Sequence, residues 1–185
     1  MTMNMFTIKK ASKKDCLLIH DMAEIVFRDT YKTILSPDQM EYMMDWMYSV
    51  PNLIKQFDEG HVYYIAESAD GPCGYVSIQP EGCDPDGVKI FHLQKIYVLP
   101  KAQGTGLGKM LFDRAVEHVK ELSEGIPARI ELNVNRGNPA VGFYHRLGMR
   151  ILRQGDFPIG NGYYMNDYIM GLDIVGQNGE KPENN

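Results

Sequence analysis

The sequence predicts one domain of mixed α/β (α+β) class, in which helices flank a central, mostly antiparallel sheet. Strand-like segments in the middle of the chain follow one another directly, as antiparallel hairpins do. In the second half strands alternate with helices, which requires parallel crossovers. The 185 residues are 44% hydrophobic and 23% charged, an ordinary balance for one folded domain that excludes a largely disordered chain.

The first elements are a short strand and two capped helices. Residues 6–9 alternate apolar and polar side chains, which is typical of a strand. Ser12 is placed to cap a first helix, with Asp15 three residues later in the position of a capping box. Ser36 caps a second helix, and Pro37 suits its first turn.

The second helix carries four methionines at helical spacing, so their side chains share one side. Thioether side chains adapt their shape, and such a stripe could form a wall for a substrate. A buried core face is the competing interpretation of the same pattern. Both remain open for Met40, Met43, Met44 and Met47.

The middle of the chain predicts a hairpin, a loop and a third strand. Residues 62–66 and 74–78 are rich in β-branched and aromatic side chains, and a turn signal at 69–72 lies between them. Residues 79–87 are expected to form a loop. A further strand follows over about 88–98 and stops at a proline.

The second half alternates helices and strands. A glycine-rich stretch at 104–108 leads into an amphipathic helix, and residues 128–134 then alternate as a strand. Asn138 is expected to cap a second helix, with Pro139 at its first position. Residues 163–174 form the last expected strand.

A glycine turn between a strand and a helix is an arrangement that binds phosphate. The helix start exposes unpaired N–H groups, and glycines let these amides approach an anion. A P-loop is excluded, because it would need a glycine at Gln103 and a hydroxyl residue at Met110. The GxGxG spacing also departs from the dinucleotide fingerprint. A glycine turn without a ligand remains open on this stretch alone.

Three segments together resemble the GNAT acyltransferase family. Residues 103–108 (QGTGLG) match its Q/R-x-x-G-x-G/A signature, and residues 93–100 resemble the strand that leads into it. Residues 138–149 (NPAVGFYHRLGM) resemble its N-x-A-x-x-F-Y-x-x-x-G-F element. The resemblance covers residues 6–174 and implies a sheet of about seven strands, splayed between the fourth and fifth. We expect a single domain over 1–175 and a polar, frayed tail over 176–185.

The resemblance implies acetyl-CoA as the co-substrate. Its pantetheine would lie in the splayed gap against strand-four backbone groups, and its pyrophosphate on the amides of the glycine loop. No metal is expected. The implied binding residues are Ile96, Tyr97, Val98, Gln103, Gly104, Thr105, Gly106, Leu107, Gly108, Lys109, Asn138 and Tyr144.

The implied reaction is attack of a neutral amine on a thioester carbonyl, which needs an acid and a base. Tyr144 matches the usual general acid of the family, which protonates the departing thiolate. His92 shares a strand face with Gln94 and is the candidate base with ordinary chemistry at neutral pH. Glu81, Asp29 and a chain of water molecules remain alternatives for the base.

The segment 156–170 resembles relatives of bacterial polyamine acetyltransferases, which implies a small cationic amine such as spermidine. Acidic residues in the first half could attract a polycation, or could belong to a solvated helix face. These are Glu24, Asp29, Glu41 and Asp45. The alternatives are acetylation of amino acids or of protein and peptide N-termini, and a non-catalytic acyl-CoA sensor.

Charge and cysteine content restrict the partners and the compartment. A formal net charge of −5 argues against nucleic acid as a partner. No apolar run is long enough for a signal peptide or a membrane span, and three cysteines without metal spacing indicate reduced thiols, so we expect a cytoplasmic protein. A homodimer through the C-terminal strands is a further expectation, with Tyr163, Tyr164 and Tyr168 at the contact.

Overall fold

The computed structural model describes residues 5–174 and contains seven strands and five α-helices in that range. The predicted tail at 176–185 lies outside the described residues. No helix within 5–174 has the length and apolar character needed to cross a membrane. The strands are β1 Thr7–Lys10, β2 Val62–Ser68, β3 Gly71–Cys83, β4 Lys89–Val98, β5 Ala128–Asn135, β6 Arg150–Gly160 and β7 Tyr163–Ile174. The helices are α1 Cys16–Tyr31, α2 Pro37–Tyr48, α3 Val50–Asp58, α4 Leu107–Ser123 and α5 Ala140–Arg146.

The seven strands form one sheet in the order β1-β2-β3-β4-β5-β7-β6. The pair β4–β5 is parallel and every other neighbouring pair is antiparallel. The parallel pair is connected through α4, which supplies the crossover that such a pair requires. The mixed, mostly antiparallel sheet that the sequence predicted is therefore confirmed.

Each face of the sheet buries its own apolar core. One core packs α4 and α5 against alternate residues of the central strands, including Ile130, Leu132 and Val76. The other core packs α1, α2 and α3 against the opposite face, around Tyr63 and Tyr75. Since strand side chains alternate between faces, the same strands serve both cores.

The methionine stripe of α2 belongs to the second core. Met40, Met43 and Met44 are buried there, and Met47 packs against the same cluster from a partly buried position. None of the four lines the large cleft described below, although Met43 also lines a small neighbouring cavity. The core interpretation therefore fits these side chains better than a substrate wall.

Three elements differ from the predicted ones. Helix α3 was not predicted, because its nine residues follow α2 directly and show no separate cap signal. Strand β3 continues through the predicted loop as far as Cys83, with irregular register after Pro80. Strand β6 was also not assigned, because Gly155 and Pro158 interrupt its pattern. It joins β7 through Asn161-Gly162, both at positive φ, as a two-residue hairpin turn requires.

The local caps that the sequence predicted are present with small shifts. Ser12 and Asp15 form a capping box, although it opens a short 3-10 turn and α1 begins at Cys16. Ser36 accepts a hydrogen bond from the Gln39 amide at the start of α2. Helix α5 begins two residues after Asn138, whose Oδ1 accepts a hydrogen bond from the Ala140 amide at 2.9 Å.

The tyrosines expected at a dimer contact occupy three different environments. Tyr164 is 54% exposed, whereas Tyr163 packs against the ring of Tyr42. Tyr168 packs against the core under α4 and α5. Only the first of the three is placed for contact with another molecule, and the homodimer stays a prediction.

Candidate active site

A cleft of about 650 Å³ opens where β4 and β5 separate. The two strands pair at four positions, from Lys89 with Ala128 to His92 with Glu131, and no pairing continues beyond them within the described part of either strand. A β-bulge in β4 at Gln94 coincides with this point, because Leu93 and Lys95 pair with consecutive residues of β3. The separation leaves one backbone edge of each strand facing the cleft.

The free edge of β4 is formed by residues 96–98. These residues pair with β3 on their other side and line the cleft. Their backbone groups are therefore available to an extended ligand in the position that a neighbouring strand would occupy. The implied pantetheine position at Ile96, Tyr97 and Val98 coincides with this edge.

The glycine loop closes one end of the cleft. Gly104 and Gly106 have φ of +74° and +85°, and Gly106 caps α4. A Cβ at either position would meet open space, so these positions require glycine for the backbone conformation and not for room. The first turn of α4 then presents unpaired N–H groups and the positive end of the helix dipole.

The remaining loop residues have structural as well as lining roles. Gln103 donates a hydrogen bond to the Val98 carbonyl at 3.2 Å, and the Thr105 hydroxyl donates one to the Ala102 carbonyl at 2.6 Å. A Cβ at Gly108 would lie 3.2 Å from the Phe143 ring, so this glycine allows α4 and α5 to approach closely. Of the implied loop residues, Thr105 does not line the cleft; the others do.

Tyr144 lies on α5 and lines the cleft with its ring largely buried. Burial raises the pKa of its phenol above the usual range, and the nearby Tyr31 adds to the rise. The phenol is therefore held in its protonated form, as a proton donor must be. Asn138 lines the same cleft beside it.

A second pair of tyrosines borders the cleft from α1 and β4. The hydroxyls of Tyr31 and Tyr97 lie 3.3 Å apart, and burial raises the pKa of both phenols. Tyr31 carries no motif and was not singled out by the sequence. Tyr97 was expected only for its backbone, yet its side chain reaches across to α1.

His92 lies outside the set of cleft-lining residues. Its Nδ1 is 3.4 Å from the Glu81 carboxylate, and this imidazole holds the pKa of Glu81 below its usual range. Gln94, expected on the same face, does line the cleft and donates a hydrogen bond to Gln79 at 3.2 Å. His92 and Glu81, two of the candidate bases, thus contact each other at the point where β4 and β5 stop pairing.

The acidic residues of the first half are largely neutralised. Arg28 donates hydrogen bonds to both Glu24 and Glu41, and Lys32 binds Asp29 at 2.8 Å. Asp29 also lines the cleft. Three of the four carboxylates expected to attract a polycation therefore already have a basic partner.

Lys95 is a buried group that sequence reasoning missed. It follows the bulge in β4, is 4% exposed, and donates hydrogen bonds to the Met47 carbonyl, Gln56 and the Tyr63 hydroxyl. Its ammonium also lies 4.6 Å from the centre of the Tyr48 ring. Burial lowers the pKa of Lys95 to about 7. A lone lysine in a strand gives no signal of this environment, because its partners come from three other elements.

Within residues 5–174 no group of three or more His, Cys, Asp or Glu side chains is arranged to hold a metal ion. The cysteines of this range are unpaired, with Cys16 and Cys73 buried and Cys83 exposed. The polar groups that line the cleft include backbone amides, tyrosine hydroxyls and carboxamides, together with the charged side chains of Asp29, Lys109 and Arg146.

Comparison with known proteins gives a match to a family and to individual relatives. The model of the acetyltransferase (GNAT) family matches residues 20–149. A peptidyl-lysine N-acetyltransferase, YjaB, of Salmonella typhimurium is 30% identical over 94 residues, which cover 50% of this chain and 52% of that protein. The chain therefore matches about half the length of that relative. An uncharacterised N-acetyltransferase of Lactobacillus delbrueckii subsp. lactis is 27% identical over 83% of this chain and 90% of its own length.

Solved structures share the fold at low sequence identity. The PaiA N-acetyltransferase of Thermoplasma acidophilum, crystallised with coenzyme A, superposes with a TM-score of 0.71 at 21% identity. The match covers 91% of this chain and 99% of that protein. The seven-stranded arrangement with one parallel pair is therefore shared with a solved N-acetyltransferase.

Proposed function

The chain belongs to the acetyltransferase (GNAT) family, and from that premise we propose that it transfers an acetyl group from acetyl-CoA to a primary amine. The observation that carries the proposal is the position of the glycine loop. It lies at the start of α4 and at one end of the cleft between β4 and β5, which Tyr144 also lines. Anion-binding amides, a free strand edge and a proton donor thus border the same space.

The cleft fits acetyl-CoA, which supplies the activated thioester when bound. The amides of the loop and of the first turn of α4 would hold the pyrophosphate, and the edge at Ile96, Tyr97 and Val98 would pair with the amide groups of pantetheine. Asn138 would contact the same arm. These interactions use neutral backbone dipoles, so they do not depend on the formal charge of −5.

Tyr144 is proposed as the acid that protonates the thiolate, and His92 as the base that takes a proton from the amine. The buried phenol of Tyr144 stays protonated, so it can donate its hydrogen bond, and then its proton, to the thiolate as the thiolate departs. His92 lies where the strands begin to separate and contacts Glu81, so the base would act from the closed end of the cleft through water.

Replacing His92 by glutamine should lower kcat/KM about 10²-fold and remove one ionisation from its pH profile. The expected cause is loss of proton removal from the amine. Rates measured from pH 5.5 to 9, with Glu81→Gln as a companion variant, test this. An activity that falls while the pH profile keeps its wild-type shape would assign His92 a structural role.

Replacing Gly106 by alanine should weaken CoA binding about 5- to 30-fold. A residue with a side chain at φ of +85° costs about 1–2 kcal/mol, and the loop can relieve this strain by leaving its binding conformation. Gly125→Ala is a matched control, since it has φ of +83° and open space around its Cβ position, but ends α4 outside the cleft. Calorimetric titration with CoA should separate the two variants, and equal affinities would contradict the proposed role of the loop.

We propose a small cationic amine, such as a polyamine, as the acceptor. The support is the segment at 156–170 that resembles polyamine acetyltransferases, together with the acidic balance of the chain. The Salmonella relative is named for peptidyl-lysine, so lysine side chains of proteins are the second candidate. Both acceptors present a primary amine on a flexible alkyl chain.

The test is thiol release from acetyl-CoA with separate groups of acceptors. Polyamines, amino acids, amino sugars and lysine- or alanine-bearing peptides are offered in turn, and products are identified by mass. Turnover of the polyamine group is the expected result. Turnover of another group alone would reject the polyamine, and CoA binding without transfer to any amine would indicate a sensor.

A further inference from the structure

A small cavity of about 30 Å³ lies next to the cleft, between α1, α2 and the strands β5 and β7. Tyr31 and Asn133 line both the cavity and the cleft, so the two spaces adjoin at these side chains. The remaining lining comes from residues such as Leu35, Tyr164 and Asp167. A space of this size holds one water molecule or one ammonium group.

Asp167 gives this cavity a negative charge that the rest of the structure does not balance. Asp167 is 1% exposed. It lies on β7, opposite Asn135 of β5 and Gly155 of β6. The carboxylate accepts a hydrogen bond from the Asn133 amide at 3.3 Å, a long contact. Among residues 5–174 no lysine, arginine or histidine nitrogen lies within 4.0 Å of it.

The neighbouring carboxylates differ from Asp167 in this respect. Asp173, on the same strand, binds both Arg129 and Arg150, and Glu131 of β5 binds Arg153. Arg136, the basic residue that acts on Asp167 from a distance, already binds Asp156 at 2.5 Å. A buried carboxylate without a cation is unfavourable, and burial raises the pKa of Asp167 accordingly.

We propose that Asp167 is the specificity residue that binds an ammonium group of the acceptor, and that this acceptor carries a second amine. The proposal rests on the proposed acetyl transfer. The cavity offers the acceptor atoms that an ammonium needs, since its three N–H bonds can meet the carboxylate, the Asn133 carbonyl and the Tyr31 hydroxyl. The complementary charge would come from the substrate.

The bound ammonium cannot be the nitrogen that reacts. A carboxylate beside an ammonium stabilises the charged form, and the reacting nitrogen must become neutral. Asp167 lines the small cavity and not the cleft, so the nitrogen that it holds is a different one from the nitrogen at the thioester. A diamine or polyamine meets both needs, with one nitrogen at the thioester and the other in the small cavity next to Tyr31 and Asn133.

The experiment compares linear diamines with monoamines of equal chain length, using the full chain and saturating acetyl-CoA. The wild type should prefer the best diamine in kcat/KM. In Asp167→Asn the KM for that diamine should rise about 10- to 100-fold, while kcat and the constants for the monoamine change less than about threefold. Asp173→Asn is the matched control on the same strand and should keep the diamine preference.

Several results would overturn the role of Asp167. These are equal use of diamines and monoamines by the wild type, a diamine KM unaltered by Asp167→Asn, or a fall in kcat with both kinds of acceptor. Should Asp167→Asn fail to fold, Leu35→Trp fills the cavity from the opposite wall and should raise the same KM.

Failure of the proposed transfer reaction is recognised separately, by the absence of turnover with every amine. In that case, calorimetric titration of the CoA-bound protein with the diamine tests whether Asp167 binds it. Binding that Asp167→Asn abolishes would support the site without catalysis, and binding of equal strength in both proteins would overturn it.

Discussion

Replacing Tyr144 by phenylalanine should lower kcat by about 10²- to 10⁴-fold, the range that a positioned proton donor contributes. The phenylalanine ring fills the same buried space, so only the hydroxyl is lost. Without it the thiolate leaves unprotonated, which makes the breaking of the carbon–sulfur bond the slower step. The measurement is single-turnover acetyl transfer at saturating acetyl-CoA and amine.

Two controls distinguish the effect of losing the Tyr144 hydroxyl from the effect of a general disturbance of the cleft. Tyr163→Phe removes a partly buried hydroxyl that lines neither the cleft nor the small cavity next to it, and should leave kcat unchanged. The affinity of Tyr144→Phe for CoA should stay within about threefold of the wild type, because its backbone contacts are untouched. A kcat within a few-fold of the wild type, with CoA bound normally, would reject Tyr144 as the acid.

The parts of the site that the sequence predicted depend on local patterns. Gly104 and Gly106 sit between a strand and a helix, and the need for glycine arises from their own φ values. Asn138 caps the turn before α5, and its hydrogen bond spans two residues. Such features depend on neighbours in the chain and can be predicted from it, whereas the position of the glycine loop, Asn138 and Tyr144 on one cleft was implied by the resemblance to the GNAT family.

The parts that the sequence did not predict depend on contacts between distant segments. Lys95 donates a hydrogen bond to the carbonyl of Met47, which is 48 residues away in the chain. Asp167 accepts one from Asn133, which is 34 residues away. Both residues lie in segments that resemble the family, but the resemblance assigned neither of them a role, and a lysine or aspartate in a strand is usually solvated. The bulge at Gln94 likewise depends on register with β3, which periodicity alone does not determine.

The bulge gives Lys95 a positioning role next to the cleft. Lys95 borders the cleft together with its neighbours Gln94 and Ile96, while its ammonium reaches into the core under α1–α3, where it binds the Tyr63 hydroxyl. Its ammonium joins β4 to the end of α2, to α3 and to β2 through three hydrogen bonds. These bonds fix the strand where it separates from β5.

The free energy of unfolding should depend on pH through the ionisation of Lys95. An unfolded lysine has a pKa of about 10.4, whereas the pKa of Lys95 in the folded protein is about 7. Between these values the unfolded state binds one more proton, so the free energy of unfolding rises with pH at up to about 1.4 kcal/mol per unit. The destabilisation is complete below pH about 7 and disappears as the pH approaches about 10.

Comparison of the wild type with Lys95→Met isolates this contribution, because methionine has a similar length and does not ionise. The unfolding free energy of the wild type minus that of the variant should be nearly constant from pH 5.5 to 6.5 and should then rise by about 3 kcal/mol up to pH 9.5. Urea unfolding at each pH gives both values. Lys55→Met is the control, since its side chain is 71% exposed and its surroundings change little on unfolding. A difference that stays constant through pH 9.5 would show that the buried amine keeps its proton in the folded protein, held by the Met47, Gln56 and Tyr63 oxygens.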